Sequence, residues 1–306
     1  MSIKNILKRI KNEPPVCGGN DTTIDPKAPK EILSEEMTLF DVTTALDRDY
    51  NQSEKENTLE TMRFVSAFAV ASGNSTFMYL ETGDHFHRRA EKSGNWAIVK
   101  EDIFPSLVKL VRERNMAKNN GYHSMTHGLP ENFGGIMDIR YSSGEAISVS
   151  DNGGPILKWE TGYEIAKLFT EAMKGEKEIL PDVSSLREIR FEEIRDNGGF
   201  TKAVLAFQSD GTGINSKQSK YDNPTIYESS KTVDEKTITA IKKNIEDNGM
   251  FAWNRLPSNG YSFNNNKKID FVFEDGSIIT VKNDRLLPGQ IRNGFFNIEL
   301  ELTTKH

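Results

Sequence analysis

"MDIRYSSGEAISV" (residues 137–149) and "IDFVFEDGSIITV" (residues 269–281) are two runs of one pattern, and their likeness decides how the chain reads. Each alternates apolar and polar residues, turns at a glycine (Gly144 in one, Gly276 in the other) and alternates again. That is the signature of a β-hairpin. Working outward, "LVKLVRERNM" (107–116) matches "IKKNIEDNGM" (241–250), and the spacing between paired segments is nearly constant. Chance similarity of two hairpins does not keep such spacing, whereas an internal repeat does. Copies of more than a hundred residues are too large for a solenoid, so the chain reads as two tandem domains.

In the first copy, "FVSAFAVAS" (64–72) and "STFMYLE" (75–81) are β-rich runs separated by Gly73-Asn74, a hairpin signal. "HFHRRAEK" (85–92) reads as a third strand. Asp102 precedes a helix whose apolar stripe is Ile103, Phe104, Leu107, Val108 and Val111, with Pro105 tolerable in the first turn and Asn119, Asn120 and Gly121 as its stop. After the hairpin at Ser143-Gly144, Thr161 to Glu164 has the form of a capping box, opening a helix that buries Ile165, Leu168, Phe169 and Ala172.

The second copy repeats this order. "LREIRFEEI" (186–194) and "FTKAVLAFQS" (200–209) flank Asn197-Gly198. Thr232 to Glu235 is a second capping box, before a helix with Ile238, Ile241 and Ile245 inward. Residues 291–302 fit both a strand and a helix, and the repeat favours helix. The expected fold is therefore α+β: two tandem repeated domains, each a mainly antiparallel sheet in β-β-β-α-β-β-α order covered by two helices. The expected boundaries are an N-terminal helix and linker over 1–33, repeats over 34–174 and 186–306, and a linker over 175–185.

Composition bounds the function classes. Of 306 residues, 36% are hydrophobic and 27% charged, with a net charge of −6. Phosphate binding needs clustered Lys and Arg, so nucleic acid is not an expected partner. No apolar run approaches the roughly 18 residues of a membrane span. The single cysteine, Cys17, fits a reducing compartment. It follows Asn12, Glu13, Pro14 and Pro15, not an apolar segment, which argues against lipid attachment and a secretory signal. The expected location is cytoplasmic. Residues 1–12 carry Ile3, Ile6, Leu7 and Ile10 at helical spacing among basic residues, a pattern for packing on the chain itself or for weak membrane-surface contact. Residues 12–33 read as an extended linker or surface loop.

Tandem units with "PPVCGG" (14–19) near the start, a later hairpin with glycine at its turn, and Gly153-Gly154-Pro155 after it resemble uncharacterised bacterial proteins of unknown function. The resemblance covers most of the chain and implies a fold repeated twice, with no activity and no site residues. The second copy departs from it, having "NDRLLPG" (283–289) where the first has "DNGGP" (151–155).

Four histidines are the candidate metal ligands. His85 and His87 share a face of the expected third strand, opposite Phe86. His123 and His127 have the spacing that places two imidazoles on one helix face, a zinc-binding form, although a helix there must fit between Gly121 and Gly128. The second copy has no histidine at matching positions. Asp210-Gly211 in "SDGTGINSK" (209–217) reads as a turn and not as a phosphate loop, since Ser216 stands where the third glycine belongs. The adjacent pairs Glu192-Glu193 and Glu35-Glu36 diverge in a strand and read as a solvated edge. Tyr122, Trp159, Trp253 and Tyr261 near element ends are candidate anchors for a protein partner. The reading favours a non-enzymatic binding or scaffold protein with no cofactor, using a repeated helix–hairpin surface. The alternative is a metal-binding protein or metal-dependent hydrolase holding zinc at His85, His87, His123 and His127.

Overall fold

The computed structural model describes residues 20–47, 62–83, 94–129, 134–221, 224–258, 265–285, 287 and 289–304. The fold is α+β, with two mostly antiparallel sheets and few helices. The described residues divide into two compact units, drawn from Met1–Ala67, Leu80–Ala90 and Ile103–Thr170 in one and from Phe68–Tyr79, Glu91–Asp102 and Glu171–His306 in the other. Among the described residues, no helix is long and apolar enough to cross a membrane.

The first sheet contains β1 (Asn20–Ile24), β2 (Met37–Asp47), β3 (Phe64–Ser72), β4 (Ser75–Gly83), β5 (Asn95–Val99), β6 (Tyr122–Thr126), β7 (Gly135–Tyr141), β8 (Ala146–Asp151) and β9 (Leu157–Lys158). Its order is β1-β6-β8-β7-β2-β3-β4-β5, with β9 beside β2. The helices of this part are α1 (Phe104–Glu113) and α2 (Trp159–Ala172). The second sheet contains β10 (Leu186–Arg195), β11 (Phe200–Phe207), β12 (Gly213–Lys220), β13 (Ile226–Val233), β14 (Asn265–Phe273) and β15 (Ile278–Lys282), ordered β13-β12-β11-β10-β14-β15. Its helices are α3 (Glu235–Asp247) and α4 (Gly289–Thr303).

The two hairpins close alike. Tyr141 N–H donates to Glu145 O and Gly144 N–H to Tyr141 O, each at 3.0–3.1 Å; Phe273 and Gly276 donate to Ser277 O and Phe273 O, each at 3.0 Å. Gly144 at φ +87° and Gly276 at φ +82° occupy the left-handed position that the turn requires. The helix ends are alike too. After α1 the chain turns through Asn115 at φ 48°, and after α3 through Gly249 at φ 58°; the buried Met116 and Met250 follow. Helix α1 thus stops at Glu113, earlier than the expected Asn119–Gly121, because Asn115 already takes the left-handed conformation.

The apolar stripes are where periodicity puts them. In α1, Phe104, Leu107, Val108 and Val111 are buried. In α2, Ile165 and Phe169 are fully buried and Ala172 is buried, with Phe169 5.9 Å from Phe40 of β2, whereas Leu168, also expected inward, is only half-buried. In α3, Ile238, Ile241 and Ile245 face inward. Residues 291–302 lie in a helix, which buries Phe295, Ile298 and Leu302 at 1% exposure each, the 3.6-residue spacing winning over the alternating one.

Several local expectations fail. Neither capping box forms. Helix α2 starts at Trp159, so Thr161 lies inside it and the Glu164 carboxylate is taken by Arg114. Thr232 belongs to β13, and Asp234 caps α3 by accepting from Thr237 N–H at 2.8 Å. Five strands precede α1 and four lie between α2 and α3, where three were expected each time: the expected order omits β1, β2, β12 and β13. The expected third strand at 85–92 lies outside the described residues, and the described one is β5. Residues 20–24 are not linker but a strand antiparallel to β6, legible only as Thr22-Thr23-Ile24 because all five residues are exposed. The helix expected at residues 1–12 lies outside the described residues.

Candidate binding face

In the second sheet, strand alternation sorts β10 into two faces. Ile189, Phe191 and Glu193 point to the side where Phe295 of α4 packs, 6.5 Å from Phe191. Glu188, Arg190, Glu192 and Ile194 point to the other, open side. Register carries that open face across neighbouring strands: Glu228, Gln218, Lys202, Glu192 and Lys268 form one row, and Ser230, Ser216, Val204, Arg190 and Asp270 the next.

The charges of this face pair with one another. Lys202 Nζ sits 2.8 Å from Glu192 Oε1, and Lys268 Nζ 3.3 Å from Glu192 Oε2 and 3.2 Å from Asp270 Oδ2. Thr280 donates to Asp270 at 2.7 Å, Gln218 to Glu228 at 2.8 Å, and Arg190 pairs with Glu188. The hydrogen bond from Lys202 holds the Glu192 carboxyl below its ordinary pKa. Burial opposes the charge on Lys268, but Asp270 and Glu192 more than offset it and raise its pKa. Around this ladder stand Ile194, Ile214, Ile226 and Ile278, 48%, 44%, 53% and 52% exposed. Half-exposed isoleucines around paired charges form a surface that a protein partner can cover without stranding a charge.

Glu192-Glu193 is therefore not a solvated edge. Strand β10 is central, and the two carboxylates serve opposite faces. Glu193, 7% exposed, pairs with Arg195 and lies 3.5 Å from Lys267, which also reaches Glu299 of α4 at 2.6 Å. Arg195 donates to Thr201 Oγ1 at 2.9 Å and lies 5.3 Å from the Tyr221 ring centroid. This cluster ties the sheet to its helix.

The first unit holds a cleft of about 550 Å³ lined by Asp25, Lys27, His123, Gly144, Glu145 and Ser148, among others. Its floor is Asn120, whose amide bonds to backbone on three sides. Gly121, at φ +78°, has no room for a side chain: a Cβ there would lie 2.6 Å from Ala28 Cβ. The backbone N–H groups of Leu33 and Ser34 lower the pKa of Glu145 at the rim.

The histidines stand as follows. His85 and His87 lie outside the described residues. His123 is on strand β6, not on a helix, with Nδ1 2.9 Å from Ser150 Oγ; His127, just past the strand, has Nε2 2.7 Å from Asp21 Oδ2. Four residues of strand span about 13 Å, against about 6 Å in a helix, so the pair does not have the helical zinc-binding spacing. Among the described residues no group of three or more His, Cys, Asp or Glu is placed to hold a metal ion.

Of the aromatic candidates, Tyr122 is half-buried in β6. Trp159 is half-buried at the start of α2 and stacks on Tyr163 at 5.3 Å. Trp253 is fully buried and donates from Nε1 to Asn248 O at 2.9 Å, so it is core and offers a partner no surface. Tyr261 lies outside the described residues. The open face of β10–β15 was missed because β12 and β13 are polar. The one signal for β12 was the Asp210-Gly211 turn after an apolar strand, with Gly211 at φ +85°.

No known family model and no curated protein matches the chain.

Proposed function

We propose that the protein is a non-enzymatic binding or scaffold protein built from two copies of one α+β unit, and that it engages a protein partner through the open face of the second sheet. The observation that carries the binding reading is that face, where four half-exposed isoleucines surround a ladder of mutually paired charges. It takes the place of the helix–hairpin surface, because the helical side is filled by core residues such as Trp253 and Phe295. Ion pairs at an interface steer and orient a partner, while the apolar residues supply the area that favours binding.

The duplication is supported by like strand paths, β5-β4-β3-β2-β7-β8 and β13-β12-β11-β10-β14-β15. It is also supported by a left-handed residue followed by a buried methionine after α1 and α3, and by matching hairpin bonds.

The test is photo-cross-linking in cells with the reactive residue at Lys202 on the open face or at Lys243 on α3. A discrete adduct from Lys202, absent from Lys243 and lost when Ile194 and Ile226 are both changed to aspartate, supports the reading. Adducts that form equally from both sites and survive the aspartates overturn it.

A further inference from the structure

We propose that β13 (Ile226–Val233) pairs antiparallel with β13 of a second copy of this chain, centred on Ser229, so that two six-stranded sheets become one. The proposal concerns the edge of the sheet and does not rest on the binding reading of its open face. Strand β13 ends the path β13-β12-β11-β10-β14-β15, and no described strand pairs with its outer side. It runs in unbroken register with β12 over eight pairs and contains no proline.

A long regular edge is a template for another strand, and folds ordinarily cover it or break it with a bulge, a proline or brevity. The same unit does cover other edges. Beside β5, Glu178 N–H donates to Ile98 O at 2.9 Å and Lys100 N–H to Glu176 O at 3.0 Å. Just past β15, Ser258 bridges Arg285. Among the described residues, strand β13 has neither protection.

The strand's own sequence, "IYESSKTV", selects a second copy as the occupant. In an antiparallel pair related by a two-fold axis, one residue lies opposite its own copy and the others pair symmetrically about it. Centring on Glu228 or Lys231 sets like charges face to face, which is unfavourable. Centring on Ser229 places Glu228 opposite Ser230, Ile226 opposite Thr232, and Tyr227 opposite Lys231, with each pair made twice. The Tyr227–Lys231 pair sets an ammonium beside an aromatic ring that is 44% exposed in the single chain. Centring on Ser230 also avoids like charges but gives up that pair.

The experiment is sedimentation equilibrium of the full chain over a concentration series, alongside Ser229→Lys. The wild type is expected to approach twice its 34.5 kDa, and Ser229→Lys, which sets lysine against lysine at an exposed position, to remain monomeric with an unchanged circular dichroism spectrum. The chain's one cysteine permits a second readout. In a Cys17→Ser background, Ser229→Cys is expected to give a disulfide-linked dimer on mild oxidation, since opposed Cα atoms about 4.5–5.5 Å apart suit the bond. Thr22→Cys on the β1 edge is expected not to link. A wild type that stays monomeric throughout overturns the proposal. So does a dimer indifferent to Ser229→Lys, or linkage at Ser230→Cys in preference to Ser229→Cys.

Discussion

Replacing Asn120 by alanine removes three hydrogen bonds in one step. The side chain is 2% exposed; its Nδ2 donates to Pro29 O at 2.9 Å and to Ala146 O at 2.7 Å, and its Oδ1 accepts from Ser148 N–H at 2.8 Å. Alanine leaves all three backbone groups without that partner. A buried polar group left unsatisfied costs about 1–3 kcal/mol. The adjoining cleft admits water to some of them, so the lower figure applies and the expected loss is about 3 kcal/mol. At about 2–4 °C per kcal/mol for a unit of this size, the first unit's melting temperature drops by roughly 10 °C. Urea unfolding followed by circular dichroism measures the loss, with the two units fitted as separate transitions if they resolve. Asn120→Asp keeps the acceptor but sets a carboxylate against two carbonyl oxygens, so it is expected to destabilise at least as much at neutral pH. A loss below about 1 kcal/mol in the alanine variant would refute the account in which Asn120 ties residues 25–30 to the hairpin.

Other perturbations test other parts of the fold. Glu193→Ala leaves Lys267 with Glu299 alone and takes the carboxylate from Arg195, which keeps Thr201, and is expected to cost the second unit about 1–3 kcal/mol; Lys109→Ala, which breaks an exposed i,i+4 pair at 3.8 Å, is expected to change stability by less than about 0.5 kcal/mol in the same denaturant titration. Gly249→Ala places a Cβ 2.6 Å from the Trp96 ring at a φ of +58°, and the combined overlap and backbone strain are expected to cost about 2–4 kcal/mol in thermal unfolding. The lowered Glu192 pKa means that its pairing with Lys202 stabilises the fold above the ordinary carboxylate range and is lost as pH falls through the folded-state value. Stability measured from pH 6 to pH 3 is therefore expected to fall less steeply in Glu192→Gln, and an unchanged slope would remove the ion ladder from the acid response. Trp253→Ala is expected to cost about 3–5 kcal/mol by opening a cavity; partner capture without any loss of stability would return that ring to the surface.

The parts of the fold that were legible are those in which a local pattern leaves no alternative. Gly144 and Gly276 sit where a turn needs a positive φ, and the stripes Phe104/Leu107/Val108/Val111 and Ile238/Ile241/Ile245 can be buried only by a helix. Helix starts were misread because Thr161 and Thr232 satisfy a pattern that neighbouring residues compete for. Asp234 caps α3 better placed than Thr232, and Arg114, 50 residues from Glu164, takes the carboxylate the other box needed. The polar strands β12 and β13 left almost no apolar alternation to read, since β13 packs its residues only against the edge of a sheet.

By itself the sequence determined the class of elements and the turns, because backbone sterics and hydrophobic periodicity act over a few residues. Tertiary structure alone decided which side chains meet. Glu192 meets Lys202 and Lys268, Glu193 meets Lys267 and through it Glu299, and His123 meets Ser150 and not a second histidine. Those meetings are set by strand register: His123 meets Ser150 in the parallel β6–β8 pair, and the glutamates meet their lysines through the order β13-β12-β11-β10-β14-β15, in which a hairpin from late in the chain pairs with a strand begun some eighty residues earlier. Nothing in the local spacing of charges encodes that order; it follows from burying the apolar faces of both helices and sheet at once.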